Sequence, residues 1–245
     1  MSGQLAEVIA GYPYFFSNLP LCALMVAIPC LKREAVYRRV AFFSGLTCMS
    51  CCVLRRPFED YFRPVVLFHT PCRVEDLVHL YWTGSAAWMA AALCLRRHWV
   101  VGVRSTVAAL LRMLPLALAA ALFVALWLAG MNVMTASLLV EAALFLFLLG
   151  RRRSLWRLAL AGMIAYTPFY TMVVKIHLTL WPSYVSYWSP VYPWGRTILG
   201  IPLGEIAWAL SLSAMWPALI AWALDLRVGR EEPKPHAFAP STGLL

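Results

Sequence analysis

Long uncharged runs of apolar residues recur along the whole chain, separated by short polar or basic segments. Each run has about 17–25 residues, enough for a helix to cross a hydrocarbon core of ~30 Å. Such runs must be helical in lipid, because every backbone N–H and C=O group needs a partner inside the segment. The pattern predicts seven transmembrane helices, at 14–31, 38–54, 75–95, 106–129, 131–149, 156–178 and 198–225.

The predicted fold is therefore an all-α, polytopic bundle of membrane helices. Hydrophobic residues make up 62% of the sequence and charged residues only 13%, about half the charged fraction of a typical soluble domain. The fourth and fifth helices are separated only by a short turn near Gly130, which predicts an antiparallel hairpin. The net charge of +10 does not indicate a nucleic-acid partner, because the basic residues cluster in short loops between apolar runs.

The distribution of lysine and arginine predicts the orientation in the cell (inner) membrane. Arg38, Arg112 and Arg157, together with 151–153, fall on one side, which the positive-inside rule assigns to the cytoplasm. The N-terminus is then outside and the C-terminus inside. The outer segment 55–73 carries four arginines, but acidic residues lie beside them, so we expect a folded, charge-compensated segment.

A short motif recurs before two of the helices. Tyr61-Phe62-Arg63-Pro64-Val65 precedes the third helix and Tyr187-Trp188-Ser189-Pro190-Val191 precedes the last. Each is followed by an acidic helix start and then by a helix rich in tryptophan and small residues. The copies are four helices apart and so have the same orientation, which indicates a parallel repeat about an axis along the membrane normal.

The repeat suggests two tandem three-helix halves joined by a linker helix. We assign the first half to 1–105, the linker to 106–130 and the second half to 131–227. Residues 228–245 are polar and proline-rich, and we expect them to form a disordered cytoplasmic tail.

Asp76 and Glu205 are the strongest candidates for chemistry. They occupy equivalent places in the two copies, near the outer ends of their helices. A carboxyl group that is withdrawn from water there is costly unless it is paired or functional, and it could act as an acid or a base. Glu75, beside Asp76, is a supporting candidate, although a carboxylate that only stabilises a helix N-terminus explains it equally well.

Further polar and aromatic residues could line a site between the helices. His79 lies three residues after Asp76 on the same helical face and could relay a proton or only pack. Glu141 lies midway along the fifth helix, where a carboxyl group suggests either function or an interhelical hydrogen bond. Trp82, Trp208 and Trp216 could stabilise a carbocation with their ring faces or simply fill the core.

No cofactor or metal is indicated. The sequence has no glycine-rich dinucleotide motif, no phosphate-binding loop and no pair of Asp-rich motifs for Mg²⁺. Cys48-x-x-Cys51-Cys52 resembles a metal-binding spacing, but nothing completes a set of ligands, and packing inside a helix is the simpler interpretation.

The segment Leu199–Trp208, with Pro202-Leu203-Gly204-Glu205 at its centre, resembles the signature of the integral-membrane lycopene cyclases, which has Pro-Leu/Ile-Glu-Glu at a helix start. Arg73-Val74-Glu75-Asp76 is similar to the counterpart in the first half. Arg73 stands where proline is usual, and Gly204 stands where the first glutamate is usual. The resemblance covers most of the chain.

The resemblance implies a redox-neutral cyclisation of an apolar linear polyene, without a cofactor. Asp76 and Glu205 would be the acid and base, with Glu75 in support and the aromatic residues around the cation. Association with other enzymes of carotenoid biosynthesis is also expected. Two other classes remain open: a non-catalytic isoprenoid or lipid carrier, which Gly204 favours, and a proton-coupled transporter that uses Glu141.

Overall fold

The structure is a computed structural model that describes residues 2–31, 34–68, 70, 72–95, 97, 99–103, 105–189 and 195–228. Apart from Val228, the predicted tail at 228–245 lies outside the described residues, as do Pro190 and Val191 of the second motif. The helices are α1 Ser2–Gly11, α2 Pro13–Leu31, α3 Ala35–Ser50, α4 Arg55–Phe58, α5 Val74–Leu95, α6 Thr106–Leu111, α7 Leu114–Leu128, α8 Val133–Arg151, α9 Trp156–Leu180 and α10 Leu203–Ala223.

The architecture is an all-α membrane bundle, as the hydropathy pattern predicts. Five segments are long and apolar enough to cross a bilayer: α2, α6 together with α7, α8, α9 with the short 3₁₀ turn before it, and α10. The remaining two predicted segments are also helical. However, α3 has only 16 residues, and α5 has Glu75 and Asp76 in its first turn. The count of seven spans therefore stays a prediction.

The predicted helix 106–129 corresponds to one candidate membrane span, Thr106–Leu128, in which a short turn separates α6 from α7. Pro115 occupies the first turn of α7, a position at which proline starts a helix better than it continues one. The predicted start of the last helix was wrong. Residues 198–202 are not helical, because β2 Thr197–Ile198 pairs with β3 Ile201–Pro202. Leu199 and Gly200, the two residues of the turn, both have positive φ, as a tight hairpin requires.

The predicted α7–α8 hairpin is confirmed. Gly130, in the turn, has a φ of 86°, a conformation that glycine adopts without steric cost. Asn132 caps α8, because its side-chain oxygen accepts hydrogen bonds from the backbone N–H groups of Met134 and Thr135 at 3.0 and 3.2 Å. A cap of this kind satisfies donors that the first turn of a helix leaves open.

Small residues allow two close helix crossings, one in each half. A Cβ atom on Gly84 of α5 would lie 2.8 Å from the carbonyl oxygen of Ser44 on α3. A Cβ atom on Gly162 of α9 would lie 2.1 Å from the carbonyl oxygen of Ser213 on α10. Gly84 and Ser213 are each eight residues after the acidic residue of their copy, so the crossings occur at matching depths. Close contact at small residues is a common way for membrane helices to associate.

The two copies of the repeated motif pair with each other. Phe62 and Trp188, the second residues of their motifs, form an antiparallel bridge. The N–H of Arg63 donates to the carbonyl oxygen of Tyr187, and the N–H of Ser189 donates to that of Tyr61, both at 2.8 Å. The third residue of each motif thus donates a hydrogen bond to the first residue of the other motif. This reciprocal pattern is the one that a two-fold axis between the copies produces.

The opposite end of the bundle, where α5 and α10 finish, is closed by a second small sheet. Strand β1 Trp99–Val101 pairs antiparallel with β4 Leu226–Val228. Asp225, just before β4, is the acidic centre of a basic cluster: its carboxylate lies 2.7 Å from Arg227, 3.5 Å from Arg152 and 3.8 Å from Arg112. These arginines belong to the side that the sequence assigns to the cytoplasm.

The segment between α3 and α5 is folded and charge-compensated, as expected. Arg55 pairs with Glu59 and with Asp76. Glu59 also lies 3.3 Å from Arg73, and Arg63 lies 3.1 Å from Asp60. The segment therefore covers the end of the bundle at which α5 and α10 begin, which we call the carboxylate end.

The crossing at Gly162 gives a test of the packing. Gly162→Ala is expected to destabilise the protein by about 1–3 kcal/mol, because the added methyl group overlaps the Ser213 carbonyl of the neighbouring helix. Gly150→Ala is the matched control, since a Cβ atom there has nothing within 4 Å and alanine is the better helix former. Thermal unfolding of both variants in detergent measures the difference. Equal midpoints would contradict the close crossing.

Candidate functional site

One elongated cavity of about 850 Å³ lies between the two halves. Its wall is mostly apolar and aromatic, and its polar groups gather at the carboxylate end. Of the eight residues proposed from the sequence, seven line it: Asp76, His79, Trp82, Glu141, Glu205, Trp208 and Trp216. Glu75 is not among the described residues that line it. The volume is within the range of small-molecule sites.

Glu205 is a buried carboxyl group held by neutral donors. It lies in the first turn of α10 and is 8% exposed. The Tyr170 hydroxyl donates to Oε2 at 2.9 Å, and the Trp188 ring N–H donates to Oε1 at 2.7 Å. Among the described residues, no cationic side chain forms an ion pair with it. Hydrogen bonds of this kind orient a buried carboxyl group without neutralising a negative charge.

Asp76 has different partners. Its Oδ2 lies 2.9 Å from Nε of Arg55, and its Oδ1 accepts a hydrogen bond from the Tyr14 hydroxyl at 3.0 Å. The side chain of Asp76 is 14% exposed. An adjacent guanidinium stabilises the ionised form of a carboxyl group. The two equivalent positions of the repeat therefore hold carboxyl groups in unequal electrostatic surroundings.

A series of contacting aromatic rings connects the surroundings of the two carboxyl groups. Phe62 contacts Tyr14 with ring centroids 5.4 Å apart and Trp188 at 5.5 Å. Tyr184 lies 5.4 Å from Trp188. The rings thus form a continuous series from Tyr14, whose hydroxyl group donates to Asp76, to Trp188, whose ring N–H donates to Glu205. Cations bind favourably over the faces of such rings.

Two tyrosines outside the predicted spans contribute neutral hydroxyl groups beside Glu205. Burial raises the pKa of Tyr61, and the nearby charge of Glu205 raises it further. The pKa of Tyr184 is raised by the same two causes in the same order. Both groups therefore stay protonated at physiological pH and can act as donors, not as bases.

Asn18 organises the other wall of the cavity. Its amide Nδ2 donates to the carbonyl oxygen of Tyr14 at 2.6 Å, so Oδ1 is the acceptor. Oδ1 accepts from the Trp82 ring N–H at 2.6 Å and lies 2.9 Å from Nδ1 of His79. Because Oδ1 can only accept, the proton of a neutral His79 sits on Nδ1 and its Nε2 is an acceptor. Asn18, not Asp76, is therefore the hydrogen-bond partner of His79.

Glu75 has a structural environment. It is fully buried, and its Oε1 accepts hydrogen bonds from the backbone N–H groups of Leu67 at 2.5 Å and Phe68 at 3.0 Å. The carboxyl group thus secures the segment that leads into α5. Its supporting catalytic role stays a prediction, and these contacts favour the alternative interpretation.

The remaining predicted residues line the deeper part of the cavity. Glu141 lies on α8, and its Oε1 accepts from the Ser137 hydroxyl at 3.1 Å, while Oε2 has no hydrogen-bond partner among the described residues. The Trp216 ring N–H donates to Ser44 at 2.9 Å. Trp208 packs edge-on against Tyr170, with centroids 5.6 Å apart. Glu141 is therefore the polar group nearest the middle of the apolar wall.

Several residues of the site carry no signal that sequence reasoning could use. Tyr14, Asn18 and Tyr170 are isolated polar residues inside apolar runs. His177 lies near the end of the sixth predicted helix, where a polar side chain can snorkel to the interface, but it is 6% exposed and lines the cavity. It packs against Tyr184 at 5.5 Å. Snorkelling remains compatible with Lys175, whose amino group reaches the carbonyl oxygen of Leu199 at 3.0 Å.

Comparison with known families gives one match. The family model described as lycopene cyclase matches residues 131–223, which include α8, α9 and α10 with Glu205. No curated protein and no solved structure matches the chain. The match lies in the segment that carries the second copy of the acidic motif.

The contacts of Glu75 give a second test. Glu75→Leu is expected to destabilise the protein by about 1–3 kcal/mol, because two buried N–H groups lose their acceptor. Glu75→Gln keeps a carbonyl oxygen in place and is expected to retain near-normal stability. Thermal unfolding and limited proteolysis of the segment between α4 and α5 provide the measurements. If both variants are equally stable but inactive, Glu75 takes part in the chemistry.

Proposed function

Because the family model described as lycopene cyclase matches residues 131–223, we propose that the chain belongs to this family and cyclises the end group of a linear, lycopene-like carotenoid by cofactor-independent acid–base catalysis. One observation carries the proposal: two carboxyl groups, one from each half, line a single apolar cavity and have unequal partners. Among the described residues, the hydrogen-bond partners of one carboxyl group are neutral donors, whereas the other carboxyl group is paired with an arginine. A proton can thus be supplied at one position and removed at the other.

Glu205 is the proposed acid. A buried carboxyl group without a cation costs least when it carries its proton, and the described partners of Glu205 are neutral. Its O–H bond breaks as the proton adds to the terminal C=C bond of the substrate. A new C–H bond forms, and a tertiary carbocation is left on the neighbouring carbon.

Ring closure follows within the aromatic wall. The electrons of a nearby C=C bond attack the cation, so a C–C bond forms and the positive charge moves into the new ring. Faces of Trp82, Phe62 and Tyr184 are available to stabilise this charge. The apolar wall also keeps water, which would capture the cation as an alcohol, away from it.

Asp76 is the proposed base. Its pairing with Arg55 favours the ionised form, which can accept a proton from the carbon next to the cation. Loss of that proton forms the ring double bond. The product is an isomer of the substrate, so no oxidant or reductant is needed. Nε2 of His79, which is left as an acceptor by Asn18, is an additional group able to relay the proton.

We further propose that the carboxylate end faces the outside of the inner membrane and that the basic cluster around Asp225 faces the cytoplasm. The apolar substrate and product would then stay in the bilayer. Their insolubility favours association with the enzymes that act before and after this step, which we propose as partners.

Gly204 favours a second candidate function. It occupies the place of the first glutamate of the family motif, so the second copy supplies only Glu205. A protein with this site could hold a linear isoprenoid without converting it. Retention of intact polyene on the purified protein, without product, is the expected behaviour of such a carrier.

Glu205→Gln separates the two candidates. In a lycopene-accumulating host, wild-type protein is expected to form cyclic carotene. The variant is expected to lose at least about 100-fold in turnover, because it lacks the proton that general acid catalysis supplies. Glu7→Gln, an exposed position on α1, is the matched control. Unchanged lycopene with folded, polyene-loaded wild-type protein would support the carrier instead.

Glu141 distinguishes both candidates from a proton-coupled transporter. If the site is a cyclase, Glu141→Gln is expected to change turnover far less than Glu205→Gln, since glutamine still accepts the hydrogen bond from Ser137. The two variants are compared in the same carotene assay. A damaging Glu141→Gln combined with an active Glu205→Gln would overturn the assignment and indicate a proton relay through α8.

A further inference from the structure

The cavity has an apolar side opening. Several of its lining residues are also strongly exposed: Leu46 at 59%, Val53 at 75% and Leu110 at 60%. Strong exposure of residues that line a cavity is expected where the wall of the cavity is incomplete. These residues belong to α3, the 3₁₀ turn after it and α6, so the gap lies between α3 and the α6–α7 segment.

Helix α7 forms one edge of this opening. Met113, Leu116, Ala120 and Phe123 recur at helical spacing and line the cavity. The opposite face, with Leu118 and other leucines, is exposed. Among the described long helices, α7 packs closely only with α8. Helix α3 is not among the described helices that pack closely with α7, and Phe58 of α4 stacks on Phe123 at one end of the space between them, with ring centroids 5.4 Å apart.

The other edge is formed by the outer face of α3. Leu46, Thr47 and Ser50 line it. The Ser50 hydroxyl donates to the Thr47 carbonyl oxygen at 2.6 Å, so this polar group needs no water. From Leu110 to Phe123 the opening and cavity extend for roughly 20 Å at the helical rise of 1.5 Å per residue. The space is long, narrow and apolar.

The carboxylate end is a poor route for an apolar molecule. Arg55, Glu59 and Arg73 line the cavity there and pair with one another. A hydrocarbon that entered at this end would have to pass charged groups that water solvates well. The side opening lies at the depth of the apolar runs, where lipid chains surround the bundle.

We propose that the opening between α3 and α7 is the route by which a linear hydrocarbon chain enters from the bilayer, with its reacting end at Glu205 and the rest of the chain extending back through the gap into lipid. The identity of the chain as a polyene rests on the proposed function. The site then recognises one end of its substrate, and the distant part of the molecule stays in the membrane.

Obstruction of the opening tests the route. Ala120→Trp places an indole on the cavity-facing side of α7, and Ala121→Trp, on the exposed side of the same turn, is the matched control. Both variants are reconstituted in lipid nanodiscs with lycopene. We expect conversion to be several-fold slower in Ala120→Trp and unchanged in Ala121→Trp. Equal rates would overturn the proposed route.

A second readout is independent of catalysis. Cys51 lines the cavity at the gap and is partly exposed. In wild-type nanodiscs, lipid-soluble dodecyl maleimide is expected to label Cys51 faster than a charged, water-soluble methanethiosulfonate, as measured by tandem mass spectrometry. Ala120→Trp, but not Ala121→Trp, should slow the labelling by dodecyl maleimide. Faster labelling by the charged reagent would indicate entry from the carboxylate end.

The two readouts separate the failure of this proposal from that of the function. Wild-type protein that converts no lycopene, but shows the expected pattern of Cys51 labelling, would overturn the cyclase and retain the side opening. Conversion and labelling that are both insensitive to Ala120→Trp would overturn the opening and retain the cyclase. Circular dichroism of each variant establishes that it is folded.

Discussion

The structure depends on one constraint: a carboxyl group inside an apolar bundle must find its partners within the protein, since lipid offers none. Glu205, Glu75 and Asp76 meet this constraint in three ways, with neutral side-chain donors, with backbone N–H groups and with an arginine. The cost of burial is therefore offset differently at each position. These differences give neighbouring acids separate roles in structure and chemistry.

The two proposed halves have similar backbone arrangements but different side chains at equivalent positions. The reciprocal bonds between the repeated motifs and the matched crossings at Gly84 and Gly162 are common to both halves. At equivalent positions, however, the carboxyl groups differ in charge environment. Three residues after each acid, one copy has His79 and the other has Trp208. A symmetric frame that holds asymmetric side chains places two carboxyl groups with unequal partners, and an aromatic wall, around one cavity.

Much of this arrangement was predictable from the sequence, because apolar runs and an acidic motif are strong local signals. The helical segments, the hairpin at Gly130 and the shared cavity of Asp76 and Glu205 follow from those signals. The sequence placed Asp76 above Glu75 only by its position in the repeat, since adjacent residues on a helix point about 100° apart and the apolar pattern does not show which of them faces the cavity. The predicted start of the last helix was wrong because the apolar run in the sequence continues through the β2–β3 hairpin.

The unpredicted part of the site consists of contacts between distant segments. Tyr14 reaches Asp76 across 62 positions of the chain, and Asn18 reaches Trp82 across 64. A single polar residue in an apolar run has no spacing that marks its partner, so its role becomes visible only when the helices are assembled. The positive charge of Arg55 was expected to be balanced by an acidic residue. The sequence has four acidic residues in this region and does not show which of them pairs with it.

The two repeated motifs are joined by hydrogen bonds between backbone groups, and these bonds do not depend on which side chains the motifs carry. Main-chain pairing of this kind tolerates divergence after a duplication, since substitutions leave the registry of the copies intact. One copy could thus exchange a histidine for a tryptophan, or a glutamate for a glycine, while both stayed aligned on the same axis. Phe62 and Trp188 illustrate this tolerance, because they form the bridge between the motifs although their side chains differ.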